Sequence, residues 1–426
     1  MQATMRLIAR FFPLYLLVSL LGRAANVISV ILLAHEMSVA QFGTFAFLQA
    51  TAAVAMTLAT LNFPVSLNVI LSRGTLARLP LENSMLVVLL SGIALVSGPI
   101  ATIAIAIVAP GTLSVMPEWI WFSLYVSALC LQSLVQAVLY SRASPVISSL
   151  SGAFATTVLC IAILLLKVRS VGSALELSAL SMLGGVVLAS FWIFRGGVIR
   201  HSPTVLTAGL SFVRRRGVEL IRFSFLTLAS GFTFQAALWF IQLRLLAVAG
   251  PGQNAPFALG SQFYNVIIFL PTVFAPILLR RMSREESELQ RRRDAIIFTG
   301  LATVLCMAGI KVFDLSSSTI LSVLPDRYGS AVDTIRWAVV AGAIMFAKFP
   351  LSVFFQSRLT GSPEALANVM AAALLVCGAM LPTWVSSSMM SMELRAAGHF
   401  LQFGCIGAAF VIIGLRHRFV AAEERS

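Results

Sequence analysis

The feature that most restricts this chain is the recurrence of apolar runs about as long as a bilayer is thick. A hydrocarbon core of about 30 Å takes roughly 20 helical residues. Between polar punctuation the sequence offers twelve such windows: 11–34, 43–70, 84–109, 118–141, 145–166, 172–194, 222–249, 256–279, 295–313, 331–357, 365–385 and 394–415. In lipid the backbone must satisfy its own polar groups, so runs of this length cross as helices. A composition of 59% hydrophobic residues over 426 positions is too apolar for a water-facing surface. The expected fold class is therefore all-α: a polytopic membrane protein with about 12 transmembrane helices in two six-helix lobes.

The formal net charge of +14 would suggest nucleic acid in a soluble protein. The positions of the cations say otherwise. With the amino terminus inside, Arg73, Arg78, Arg142, the 195–222 and 280–293 segments, Arg358 and the tail share one side, about 21 of the 30 cations. About six fall outside and about three within helices, so both termini are expected to be cytoplasmic and nucleic acid is not an expected partner. Lys167 and Arg169 run against the rule. The long polar stretch RGGVIRHSPTVLTAGLSFVRRRGVE divides the helices six and six, giving an amino-terminal lobe over 1–200, a linker over 201–221 and a carboxy-terminal lobe over 222–426. Basic runs beside the cytoplasmic leaflet anchor topology against anionic lipid, at roughly 1 kcal/mol per cation. Arg6 and Arg10 precede a run too long for a signal peptide and lacking a small-x-small cleavage site, which reads as a retained first helix.

Sliding the chain on itself by about 212 positions aligns parts of the two halves, as expected of parallel repeats. RFFPLYLLVS at Arg10 lies against RFSFLTLASG at Arg222, Phe45 against Phe257, and Pro64 against Pro276. Cys130, Cys160, Cys306, Cys377 and Cys405 all fall inside apolar runs and read as small core hydrophobes. His35, His201, His399 and His417 are scattered, with no Cys-x-x-Cys, so neither a metal nor another cofactor is expected.

A charge at the bilayer centre costs about 2.5–3.5 kcal/mol on insertion scales and normally turns toward protein or a wet cavity. Arg23 sits in such a place, on a stripe with Ser19, Asn26 and Ser29. Lys348, Ser352 and Gln356 form a second stripe, and Gln132 with Gln136 a third. Thr227, Gly231, Gln235 and Gln242 share a face of the seventh window, with Arg244 off that face and expected to snorkel. Helix-to-helix hydrogen bonding is the alternative reading of these stripes. All sixteen acidic residues fall in loops or near helix ends, Glu36, Glu118 and Glu176 among them. Proton- or sodium-coupled antiport generally needs a carboxylate at depth. Cations and amides suit instead an anion rich in hydroxyls, because guanidinium binds phosphate and amides bind sugars. Pro64, Pro271 and Pro276 interrupt the second and eighth windows, where kinks are allowed. No carboxylate pair or Ser/His/Asp set converges on an external loop, so no enzyme activity is expected.

Three segments carry a resemblance. EMSVAQFGTFAFLQA from Glu36 looks like a short outer turn into a second helix, keeping Phe42-Gly43 and departing at Met37, Ser38 and Val39. LPDRYGSA from Leu324 is similar to a polar aromatic turn before a tenth helix, and MSR at Met282 to a segment closing an eighth. With their order along nearly the whole chain, they resemble the polysaccharide-transporter, O-antigen-flippase branch of the multidrug/oligosaccharidyl-lipid/polysaccharide (MOP) exporter superfamily. The resemblance implies MATE-like lobes around a central cationic cavity in a bacterial inner membrane. It also implies alternating-access export of a polyprenyl-diphosphate-linked oligosaccharide for capsule, exopolysaccharide or O-antigen, with a polysaccharide polymerase or assembly proteins as partners. Position and chemistry then assign Arg23 and Lys348 to the anion, and Asn26, Gln132, Gln136, Gln235 and Gln242 to glycan hydroxyls. The alternatives are a multidrug or small-metabolite exporter of the same superfamily, and a membrane-embedded glycan ligase or polymerase.

Overall fold

Helix ends fall where short polar side chains can take up orphan backbone groups. Ser38 starts the second helix: its hydroxyl accepts from the Gln41 N–H at 3.3 Å, and the Gln41 amide oxygen accepts from the Ser38 N–H at 3.3 Å, a reciprocal capping box. Glu118 accepts from the Ser114 N–H at 2.6 Å ahead of the fourth helix. The fifth helix stops as Lys167 turns into the left-handed region at φ +47°, the usual exit from a last helical turn.

The computed structural model describes residues 2–60, 80–142, 145–195, 228, 232–284, 287–358 and 362–423. Pro64, Arg73, Arg78, Arg222, Thr227, Gly231 and the 201–221 linker lie outside them. Among the described residues everything regular is helical, and twelve helices are long and apolar enough to cross a membrane. They are α1 (Gln2–Glu36), α2 (Val39–Ala59), α3 (Pro80–Val108), α4 (Met116–Arg142), α5 (Pro145–Leu166), α6 (Val171–Arg195), α7 (Phe232–Ala249), α8 (Pro251–Arg284), α9 (Glu288–Val323), α10 (Ala331–Ser357), α11 (Ser362–Met380) and α12 (Ser388–Glu423).

The chain divides into two compact units, Met1–Phe232 and Thr233–Ser426. In the first, α1 packs on α5, while α4 is the central helix, covered by α2, α3, α5 and α6. Gly98 brings α3 close to α4, since a Cβ there would collide with the Ser123 carbonyl oxygen and the Ser127 hydroxyl. Ser127 then donates to the Leu95 carbonyl at 3.1 Å.

In the second unit α10 is central, covered by α8, α9 and α12, with α11 against α12. Ile241, Leu245, Phe257, Ala338 and Met392 fill one core cluster. Met282, Phe354, Phe355 and Ile406 fill another, toward the Ser357 end of α10. At that end one carboxylate serves several arginines: Glu288 lies 3.3 Å from Arg292 and 3.1 Å from Arg358.

Two expectations need correction. The ninth and twelfth helices extend beyond the windows 295–313 and 394–415, to Glu288–Val323 and Ser388–Glu423. Charged residues end an apolar window but not a helix, which continues past the hydrocarbon on i,i+4 pairs such as Glu288–Arg292. The five cysteines are also not uniformly core: Cys130 and Cys160 are buried, Cys306 and Cys405 half-buried, and Cys377 exposed.

Candidate functional site

Interlocking glycines and leucines set the register of α12. A Cβ on Gly378 would meet Leu394 at 2.6 Å, and one on Gly398 would meet Leu375 at 2.8 Å. Each leucine therefore fills the notch of the opposing glycine, and α12 is pinned to α11. This fixes the adjoining stripe of α12, where Met392, Arg395, His399, Gln402 and Ile406 recur every three or four residues and are all buried. Three of those five are polar.

Lys348 of α10 faces this stripe. Its ammonium donates to Gln402 Oε1 at 3.0 Å, and His399 Nδ1 lies 3.0 Å from the same oxygen. Gln402 Nε2 donates to Asn368 Oδ1 on α11 at 2.9 Å. One turn away on α12, Arg395 donates to the Ser261 hydroxyl of α8 at 3.0 Å, and its guanidinium carbon lies 3.7 Å from the centre of the Tyr264 ring. Tyr264 stacks on His399 at 5.3 Å and 15° between planes, and Phe234 of α7 packs on the imidazole at 4.7 Å. Exposures of 2% for Lys348, 6% for Arg395, 1% for His399 and 2% for Gln402 make this a sealed seam rather than a surface patch.

Charge is what sets the seam apart. Among the described residues, neither Lys348 nor Arg395 forms an ion pair; the atoms that accept from them are neutral, an amide oxygen and a hydroxyl. Glu364 acts on Lys348 only at longer range and is bonded by Gln356 Nε2 at 3.1 Å. Arg395 Nε, His399 Nε2 and the Ser352 hydroxyl are buried without a hydrogen-bond partner. Cations are normally retained in a dry interior only with compensation. The seam thus has an excess of positive charge and of donors.

The other residues singled out in the sequence are distributed differently. Arg23 is exposed on α1, within electrostatic reach of Tyr15, and shares that surface with Leu17, Leu20, Leu21 and Ile28. Its stripe-mates Ser19 and Ser29 bond within the first unit, to Ser149 at 3.3 Å and to the Ala25 carbonyl at 2.8 Å, and Asn26 is half-buried. Gln132 and Gln136 both donate to Ser151 of α5 at 3.4 Å, which ties α4 to its neighbour. Gln235 and Gln242 are half-buried on α7 in the second unit. Arg244 bonds the Ala379 carbonyl at the end of α11 at 3.3 Å. Of the seven candidates, Lys348 lies in the seam.

Sequence reading missed Arg395, His399 and Gln402. The signal was available, because these three share one helical face in the way Arg23, Asn26 and Ser19 do. The window 394–415 holds all three, but Arg395 stands at its opening, where a cation reads as an ordinary helix-end charge.

No protein-family model matches the sequence, and no curated protein matches it. Solved structures do match. An inward-facing multidrug resistance MATE family transporter of the MOP superfamily superposes with a TM-score of 0.68 at 14% identity, over 93% of this chain and 95% of the other. The lipid II flippase MurJ, in an inward closed conformation, gives 0.70 at 10% identity over 92% and 86%. An outward-facing MATE transporter gives 0.63 at 12% over 98% and 96%. At such identities the likeness is one of fold, and it extends over nearly the whole of each chain: this protein is a multi-pass helical membrane protein with the fold of MATE transporters and MurJ.

Proposed function

We propose that the chain is a transporter, not an enzyme, and that it flips a lipid-linked, anionic oligosaccharide across a bacterial inner membrane, with both termini on the cytoplasmic side. The observation that carries this reading is the seam: two cations and a histidine held in a membrane-spanning unit by neutral partners. Such a field attracts a polyprenyl-diphosphate head and repels a cationic drug. Arg23, exposed on α1, is assigned to the diphosphate with Asn26 beside it, and Gln235 and Gln242 to glycan hydroxyls. Lys348 lies too deep to touch a bulky head directly and contributes its charge. Gln132 and Gln136 are assigned to holding α4 against α5. Export of an anion is favoured by an inside-negative potential, at roughly 2.3 kcal/mol per charge per 100 mV.

The test is a proteoliposome assay with a fluorescent polyprenyl-diphosphate oligosaccharide, read by the fraction of label that a membrane-impermeant quencher reaches. Wild type should equilibrate the leaflets, Arg23→Lys should retain much of that rate, and Arg23→Ala should lose at least about tenfold. Equal rates for the alanine variant would reject the role given to Arg23.

A second reading, a multidrug or small-metabolite exporter, is supported by the superposition on MATE transporters. Efflux of a fluorescent cation that stops when a proton gradient is collapsed, with no flipping of the lipid-linked sugar, would establish it instead.

A further inference from the structure

The hydrogen-bond logic of the seam fixes the state of its histidine. Lys348 has only donors, so the Gln402 atom 3.0 Å from its ammonium is the amide oxygen. His399 Nδ1 is 3.0 Å from that same oxygen and therefore carries a hydrogen. In the neutral ring Nε2 is then a bare lone pair, and it is buried without a partner. The groups facing His399 are Phe234 from α7, Tyr264 from α8, Lys348 from α10, and Arg395 and Gln402 from α12. From α11 comes Asn368, through Gln402. Both charged groups among these are positive, and both act on the imidazole electrostatically.

Two buried cations with neutral partners need a counter-charge, and a small anion beside them would supply it. That anion would also change the chemistry of His399: once Nε2 takes a proton, its N–H becomes a donor to the anion. We propose that the seam is a binding site for one small monovalent anion, chloride in the cell, and that occupancy is linked to uptake of one proton at His399 Nε2. Sealing on all sides excludes a diphosphate-linked glycan from this position without opening the unit, which is why the ligand is assigned as small. Nothing about the site depends on what the chain carries.

The experiment is equilibrium binding of radiolabelled chloride to the purified full-length chain in nanodiscs, between about pH 5.5 and 8. Wild type should show one saturable site, competed by bromide and not by gluconate, with affinity falling by up to about tenfold per pH unit as one linked proton is withdrawn. Calorimetry in two buffers of different ionisation heat should register the proton. Lys348→Met should abolish binding. Gln402→Glu should do the same in a chain that remains folded, since it supplies a fixed carboxylate 3.0 Å from Lys348 in place of the mobile anion. His399→Gln should keep binding and lose its pH dependence. Gln132→Leu in the first unit should bind as wild type does.

Absence of saturable chloride binding at every pH would overturn the proposal, as would pH-independent binding by wild type. Displacement of chloride by pyrophosphate more readily than by bromide would also overturn it, by giving the seam to the cargo. A failure of lipid flipping with normal, pH-linked chloride binding would leave the anion site standing and reject the cargo assignment alone.

Discussion

Each unit is organised around one buried helix, and the two helices handle polarity in opposite ways. In the first unit α4 carries Gln132 and Gln136, and both end on the hydroxyl of Ser151. The serine hydroxyl accepts from both amides and donates on to the Ser148 carbonyl, and although Gln132 Oε1 stays buried without a partner, no group in this cluster carries a charge. In the second unit α10 carries Lys348 at a similar position along the helix, facing Arg395 and His399 of α12. Ammonium and guanidinium groups only donate, and the acceptors within reach are neutral. The first arrangement is glue between helices; the second stores an unbalanced charge where solvation is poorest. The lesson is that burial of polar groups, even with an unpaired atom such as Gln132 Oε1, does not mark function in a membrane bundle, whereas buried charge without a counter-charge does.

That contrast can be broken most sharply at Gln402. Gln402→Leu leaves Lys348 and the His399 Nδ1–H without their shared acceptor and should destabilise the chain by about 3–5 kcal/mol, read as a lowered unfolding midpoint in detergent. An overpacking change in the first unit should come next. Gly98→Ala forces a methyl into Ser123 and Ser127 and should cost about 1–3 kcal/mol, without affecting chloride binding. Lys348→Met should go the other way: an apolar side chain of similar length is expected to leave stability unchanged or raise it by about 1–2 kcal/mol, because the desolvated charge is gone. Equal destabilisation by the methionine and Gln402→Leu variants would mean that the lysine is structural glue after all. The smallest effect belongs to Gln132→Leu, about 0.6 kcal/mol, the average strength of a hydrogen bond between membrane helices.

The span count and the short connection between α1 and α2 were legible because lipid leaves the chain few options. A run of about 20 apolar residues can only be a helix, and Ser38 with Gln41 spells its own cap. Lys348 was legible for a related reason, since a lysine inside an apolar window is costly wherever it points. Its partners were not. Arg395 lies near the start of a helix, where a cation costs little in sequence terms. Only the extension of α12 back to Ser388 and the leucine–glycine notches show it turned inward. Arg23 illustrates the converse. Its depth along α1 could be read from sequence, but the direction of its side chain, a few tens of degrees around the helix from Asn26, depends on how α1 lies against α5.

The elbow between α1 and α2 has a mechanical implication. Only Met37 and Ser38 separate the two helices; Met37 is fully buried, its N–H bonds the Leu33 carbonyl at 2.9 Å, and the Ser38 carbonyl accepts from Phe42 at 2.9 Å. With hydrogen bonds running almost unbroken through the bend, the joint has little slack and works as a crank: a tilt imposed on the helix bearing Arg23 is handed on to α2 rather than dissipated. Lengthening that joint with a few glycines would let the first helix swing while the second stayed still, and would uncouple whatever Arg23 grips from the helices behind it.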